Sequence, residues 1–432
     1  MTAPQMLFVP PDPPVPNDAF DTDLLQRRTL AETLTGYLSR LRYGAVIAID
    51  APWGNGKTWF ARNWQVQLTD MGFVVRYIDA FESDYMEDPF SLIASEIAAL
   101  VSADKKADFI EKATGVAVTI APAMLKAAVN MSSKFLLNEA DLTGKMSDIA
   151  DQVANQAEAS LAKLLEDRIK KYKEGKKSIA AFKAALSDFA GTTGDKPLVI
   201  MIDELDRCKP QFAVQLLERI KHFFECNNVV FVLLMNKDQM HHAIKGVYGE
   251  STDAHLYLEK FLNFTFRLPA PQHESTAKFI DRELDRYRLP PSATVNDCVE
   301  CIYVLADLFQ ITPRQIERII ALLAITPPTS EGRLYAEMMI FKVAMPSYFN
   351  GMLSEDKSIN GTISKIMAAY RPAYTNRQNA EYLIEYFIAV HNAIENRGIE
   401  QLNALKNTAG LTVERAMKIY SASAKRLNIE LS

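Results

Sequence analysis

The 432-residue chain is poor in cysteine, has no excess of basic residues and holds no long apolar run. Its four cysteines, Cys208, Cys226, Cys298 and Cys301, are too few to staple a secreted scaffold of this length. Cys298 and Cys301 form a lone Cys-x-x-Cys, without the second pair or the two histidines that a zinc site needs. They fall in an apolar helical pattern with Val299, Ile302, Val304 and Leu305 and read as packed, reduced thiols. Lys and Arg number 48 against 53 Asp and Glu, a net charge of −5, which excludes a global field suited to nucleic acid but leaves local patches open. Pro4, Pro10, Pro11, Pro13, Pro14 and Pro16 break any apolar helix near the N-terminus, so no secretory signal is expected. The most apolar stretch, Gly115 to Leu125, is too short to span a bilayer and is followed by Lys126, Asn130 and Lys134. What remains is an ordinary globular composition, 48% apolar and 23% charged, expected in the reducing cytoplasm.

Against those absences stand five short apolar runs: 45–49, 73–78, 198–202, 229–234 and a weaker one at 263–267. The first four are continuous rather than alternating, as in strands buried on both faces of a parallel sheet. Helical patterns separate them, which predicts an α/β sheet of βαβ units. Roughly 100 residues of helical pattern separate the second and third runs, an insertion rather than a loop. The expected order is a proline-rich arm (1–17), a sheet domain in two parts (18–103 and 193–270) around a helical insertion (104–192), a helical lid (271–326) and a C-terminal helical domain (327–432). Leu24 to Leu41 has helical spacing, and four or five helices are expected after Glu331. The stretch from Lys163 to Lys183 is basic and reads either as a solvated helix face or as a contact surface for nucleic acid, anionic lipid or a partner.

The chemistry concentrates where the first run ends. Ala51-Pro52-Trp53-Gly54-Asn55-Gly56-Lys57-Thr58 lies between that strand and a helical pattern, the context of a phosphate-binding loop, with Ala51 in place of the usual first glycine. Gly54 and Gly56 let the backbone curl so that its N–H groups face phosphate oxygens. Lys57 would reach the β- and γ-phosphates and the Thr58 hydroxyl would ligate Mg²⁺. The third run ends in Asp203-Glu204. Asp203 would hold Mg²⁺ through water, and Glu204 would orient and deprotonate the attacking water. Asn236 closes the fourth run, placed either to reach the γ-phosphate or to cap the next helix. No guanine-reading Asn-Lys-x-Asp is present, since Asn236-Lys237-Asp238-Gln239 lacks its spacing, and His391 in the C-terminal region stands alone.

Taken together these residues resemble the KAP P-loop NTPases. The resemblance covers about residues 18 to 325: the segment from Asp18 to Leu38, the loop Pro52 to Thr58 with its tryptophan, Ile202-Asp203-Glu204-Leu205-Asp206-Arg207-Cys208, Phe231 to Asp238, Tyr257 to Phe261 with Leu268-Pro269, and Thr312-Pro313-Arg314-Gln315-Ile316. It implies an α/β P-loop NTPase whose parallel sheet is flanked by helices, with the helical insertion between strands two and three and an all-helical C-terminal region. It implies ATP as ligand, held by Pro52, Trp53, Gly54, Asn55, Gly56, Lys57, Thr58 and Trp59, with Mg²⁺ on Thr58 and Asp203. It further implies that Arg314 reports nucleotide state from the helical domain. Lys260 would be a finger reaching a neighbour's site, with Arg207 a second candidate. Glu204 departs from the family's usual second aspartate and favours true hydrolysis. Phe81 replaces a tryptophan, and the amphipathic, lysine-interrupted stretch 107–137 stands where many members span a membrane.

Two functions compete at this point. One is an ATP-hydrolysing switch or assembly, a homo-oligomer or a complex with a partner protein, in antiviral defence or intracellular conflict. The other is a nucleotide-bound scaffold at a membrane surface or on nucleic acid with little turnover, using 107–137 or 163–183. The first places the chain in the cytoplasm. The second would put it at the periphery of the inner membrane and is less favoured. A metabolic kinase would need a small acceptor pocket, and no polar cluster in the insertion supplies one.

Overall fold

The computed structural model describes residues 16–86, 88–120, 177–221, 223, 226–289, 292–329, 331–353, 357–371, 378–396 and 399–427. Five strands form one parallel sheet: β1 (Ala45–Asp50), β2 (Val75–Asp79), β3 (Leu198–Asp203), β4 (Val229–Met235) and β5 (Phe264–Arg267), in the order β2-β3-β4-β1-β5. Because every pairing is parallel, all carboxyl ends share one edge. The loop at Ala51, the Asp203-Glu204 pair and Asn236 therefore emerge side by side.

The edge strands are less covered than their runs suggest, with only Ile78 of β2 buried and β5 largely exposed; burial on both faces is seen in strand β4. It reads VVFVLLM and is buried throughout. Val229, Phe231, Leu233 and Met235 pack into one apolar cluster, and Val230, Val232 and Leu234 into another. The second face is covered by α1 (Arg28–Leu38) and α2 (Lys57–Asp70) through Leu34, Leu38, Phe60, Trp64 and Leu68. The first is covered by α3 (Pro89–Ala98), α4 (Ala103–Ile120), α5 (177–191), α6 (Pro210–Lys221), α7 (Lys237–Tyr248) and α8 (Ala254–Glu259). Each large apolar side chain buried this way contributes about 1.5–3 kcal/mol. Helices α4 and α5, the described ends of the insertion, root in this core: the Phe109 and Phe182 rings lie 5.2 Å apart and Phe90 lies 5.1 Å from Phe182. The basic residues from Lys163 to Lys176 and the second half of the 107–137 stretch lie outside the described residues.

Helix α1 starts at Arg28, four residues later than its periodicity suggests, because Gln26 takes a positive φ of 56° and breaks the run. Leu24 and Leu25 are thereby left as an irregular segment.

The rest of the chain is helical: α9 (His273–Tyr287), α10 (Ala293–Leu308), α11 (Pro313–Ile325), α12 (Gly332–Ala344), α13 (Pro346–Leu353), α14 (Lys357–Tyr370), α15 (Gln378–Glu395), α16 (Ile399–Ala409) and α17 (Val413–Leu427). Six helices follow Glu331 among the described residues, where the pattern suggested four or five. Pro327-Pro328 does not divide them from the lid. One continuous apolar cluster runs from Phe279 to Leu427, and Arg426 on α17 donates at 2.8 Å to both Thr329 Oγ1 and Pro327 O. Cys298 and Cys301 sit fully buried in that cluster as free thiols, and burial pushes both well up. His391 is also fully buried, with ring nitrogens 2.8 Å from Glu337 Oε1 and 2.8 Å from Asn360 Oδ1. Tyr420 donates to the other Glu337 oxygen, so this network ties α12, α14, α15 and α17 together.

Candidate nucleotide site

The loop after β1 has the shape its glycines predict. Gly54 and Gly56 hold φ of +83° and +80°, a region that side chains disfavour. Ala51 is fully buried and needs no positive φ, so the replaced glycine costs nothing there. Its carbonyl accepts a 2.7 Å hydrogen bond from Lys57 Nζ. Lys57 is 9% exposed; burial lowers its pKa, opposed by Asp206 and then Asp203.

Asp203 ends β3 fully buried. Its Oδ2 accepts from Tyr77 Oη and its Oδ1 from the Glu204 N–H, both at 2.8 Å, and Thr58 lines the same cavity. Burial raises its pKa while these bonds and Lys57 oppose the rise. Glu204 follows at φ +58°, a strained conformation for a residue with a Cβ. Its carboxylate is 2.8 Å from Arg207 Nη1. Arg207, a candidate for a neighbour's site, is thus engaged by the Glu204 of its own chain.

The helical region closes the other side. Thr312 and Gln315 form a capping box with Pro313 in the first turn, a strong local start for α11. It places the Arg314 N–H 3.3 Å from Gly54 O. A Cβ on Gly54 would lie 2.9 Å from Thr312 Oγ1 and 3.0 Å from Arg314 Cβ, so only glycine lets α11 approach the loop this closely. Between sheet edge and helices lies a cavity of about 650 Å³. Its sheet wall comprises Trp53 to Trp59, Asp203, Glu204, Asp206 and Arg207. Its helical wall comprises Phe279, Arg282, Arg286, Pro313, Arg314, Glu317 and Arg318, and Thr22, Leu24, Leu25 and Arg27 line the rest.

The structure therefore brings together Trp53, Gly54, Asn55, Gly56, Lys57, Thr58, Trp59, Asp203, Glu204 and Arg314, as the sequence suggests. It leaves Pro52, Asn236 and Lys260 outside the lining. Asn236 spends its side-chain oxygen as the cap of α7, accepting from the Asp238 N–H at 3.1 Å. Lys260 ends α8 on the surface, its ammonium 5.4 Å from the Tyr257 ring.

Sequence reasoning missed several lining residues. Arg27 is 1% exposed, donates to Pro269 O and, at 3.4 Å, to Asn55 O, and burial lowers its pKa to about 10. Asp206 accepts a hydrogen bond from the Trp53 indole, while its Oδ1 is buried without a partner. Phe279, Arg282 and Arg286 are spaced to share one helix face, as are Arg314, Glu317 and Arg318. That spacing was available in sequence, but it is equally the pattern of a solvated face. Arg282 and Arg286 pair with Glu283, itself 2% exposed, at 2.9 and 3.5 Å. Burial raises the pKa of Glu317.

Among the described residues no helix is long and apolar enough to cross a membrane. No curated protein matches the chain. Among solved structures it is similar to the Walker-type ATPase PABY2304 of Pyrococcus abyssi, at 13% identity over 96% of this chain and 99% of that one, with a TM-score of 0.38. It is similar to the ORC2 protein of Aeropyrum pernix, at 13% identity over 98% and 97%, with a TM-score of 0.37. It is also similar to Cdc6p from Pyrobaculum aerophilum, at 12% identity over 95% and 96%, with a TM-score of 0.39. The family model described as the KAP family P-loop domain matches residues 27–329, from the arginine beneath the loop to beyond the last residue of α11, and the chain belongs to that family of P-loop NTPases.

Proposed function

We propose that this chain binds ATP with Mg²⁺ in the cavity, hydrolyses it, and uses the cycle to shift its helical region against the sheet. One observation carries the reading. A single cavity joins a phosphate-binding loop, the Asp203-Glu204 pair and two arginine-bearing helices. Thr58 and Asp203 suit Mg²⁺, being hard oxygen donors on the lining of one cavity. No group of three or more His, Cys, Asp or Glu able to hold an ion occurs among the described residues. An ion that keeps its waters and shares phosphate oxygens needs no such cage. Bound there it would neutralise charge on the β- and γ-phosphates.

The chain's own residues do the remainder. Lys57 leaves the Ala51 carbonyl for the phosphates, and the loop N–H groups hold them. Glu204 accepts the proton of the attacking water, with Arg207 keeping its carboxylate in place. Arg314 binds the terminal phosphate and loses that partner on hydrolysis, so the contact between α11 and Gly54 follows nucleotide state. Leu24, Leu25, Trp59 and Phe279 offer apolar and aromatic surface to the base. Lys260, exposed on α8, is available to a second copy as a trans-acting cation. The family resemblance supports a setting in antiviral defence or intracellular conflict, in the cytoplasm.

The test separates binding from hydrolysis. Glu204→Gln should keep ATP affinity while phosphate release falls by roughly 10²–10⁴-fold, the usual worth of a positioned base. Unchanged release in that variant removes Glu204 from the chemistry. A wild-type protein that binds ATP without releasing phosphate favours the static scaffold.

A further inference from the structure

The sheet register brings a third group to the Asp203 carboxylate that the loop motif does not include. Residues two apart on a strand share a face, so Met201 and Asp203 of β3 point to the side covered by α2. Strand β2 pairs Tyr77 with Met201 and Asp79 with Asp203. Tyr77 is thus the diagonal neighbour of Asp203 on that face, within reach of a long side chain. Its hydroxyl donates to Asp203 Oδ2 at 2.8 Å. Asp79, which is level with Asp203, instead spends Oδ1 on the Phe81 and Glu82 N–H groups at 2.9 and 3.1 Å.

Helix α2 closes the arrangement. Thr58 and Arg62 are one turn apart and share a face. Thr58 lines the cavity beside Asp203, and the Arg62 guanidinium carbon lies 3.5 Å from the centroid of the Tyr77 ring. A line of contacts therefore runs from Asp203 to Tyr77 to Arg62, one turn of helix from Thr58. An aspartate carboxylate rotates easily about its last torsion. Here the Glu204 N–H holds one oxygen and Tyr77 the other.

We propose that Tyr77 is a positioning residue for the phosphate site: its hydroxyl fixes the rotation of the Asp203 carboxylate toward Thr58, and Arg62 holds the Tyr77 ring in place. The proposal rests on the assignment of Thr58 and Asp203 to Mg²⁺ above. Partners behind a metal ligand act by orienting it, and their loss typically costs roughly 10- to 100-fold in metal affinity. Removing the Tyr77 hydroxyl should therefore weaken Mg²⁺ binding without touching the groups that bind nucleotide.

The experiment is a calorimetric titration of a non-hydrolysed ATP analogue at a series of Mg²⁺ concentrations, on wild type, Tyr77→Phe and Arg62→Met. In Tyr77→Phe the Mg²⁺ concentration giving half of the full affinity should rise by about 10-fold or more, with metal-free affinity unchanged. Arg62→Met, which keeps the hydroxyl but frees the ring, should shift the same midpoint by less. It also decides the question if Tyr77→Phe does not fold. Loss of metal-free affinity to the same extent would show a structural role and overturn the proposal. An unshifted midpoint in the variants, against a Mg²⁺-dependent wild type, overturns it too. A wild type whose affinity ignores Mg²⁺ overturns instead the metal assignment on which it rests.

Discussion

The two walls of the cavity are built on opposite plans. The sheet wall draws its charged groups from two short segments, 51–58 and 203–207, fixed by backbone: left-handed glycines, a strained Glu204 and the ends of β1 and β3. Its cations and anions nearly balance, Lys57 and Arg207 against Asp203, Glu204 and Asp206. The helical wall carries Arg282, Arg286, Arg314 and Arg318 against Glu317, on two helices that share a core. Its charges sit on long side chains, two of them leaning on the buried Glu283. A wall fixed by backbone suits bond chemistry, which tolerates little displacement. A wall of surplus cations on long side chains suits binding an anion.

The largest effect should come from the sheet wall. Lys57→Ala ought to lower phosphate release by about 10²-fold or more, since it removes a charge aimed at the developing transition state. Near-normal release would end the catalytic reading of the loop. On the helical wall Arg314→Ala should weaken ATP binding by about tenfold, ~1.4 kcal/mol, while leaving the sheet wall intact. Lys260→Ala is the control, because Lys260 lies outside the cavity. It should change turnover only if light scattering on Glu204→Gln shows that ATP drives assembly. Equal losses in both variants in a chain that stays monomeric would erase the distinction between cavity and surface.

Smaller effects sharpen the contrast. The three tryptophans, Trp53, Trp59 and Trp64, all lie in or after the loop, and Trp53 is held by Asp206. Intrinsic fluorescence should respond to ATP with Mg²⁺, and Asp206→Asn should alter the nucleotide-free spectrum by loosening the Trp53 indole. A spectrum identical to wild type would deny that contact in solution. The mildest change is Glu317→Gln. Burial raises the Glu317 pKa, so the folded state holds its proton more tightly than the unfolded chain. The carboxyl then costs stability above its ordinary range and nothing once protonated. The variant should melt slightly higher than wild type at neutral pH, with the difference vanishing as pH falls below the usual glutamate range.

The same contrast explains what the sequence revealed. The sheet wall was readable because glycine, lysine and paired carboxylates act through neighbours a few residues away. The central strands β1, β3 and β4 were readable because burial on both faces demands unbroken apolar runs, whereas the edge strands β2 and β5 are only partly covered. Arg282, Arg286 and Arg318 were not, since an arginine on a helix face has one spacing whether it meets solvent or a cavity. Tyr77 was hidden for another reason. Its partner is 126 residues away, brought near only by strand register. Asn236 offered two readings that local sequence could not separate, and the cap of α7 is where its side-chain oxygen is spent. Residues 327–427 carried no motif, and their place became clear only from the cluster they share with α9 to α11.

If the proposed cycle operates, that shared cluster would turn a small signal into a long stroke. A body with one close-packed interior does not flex at a seam, because interiors resist compression and pass strain onward. The loop touches this body near one end, through Gly54 and Arg314. A slight tilt imposed there must be carried by every helix out to α17, growing with distance from the pivot. In mechanical terms the helical region would then act as a lever whose short arm rests on the phosphate-binding loop, and its far surface is where any load would be moved.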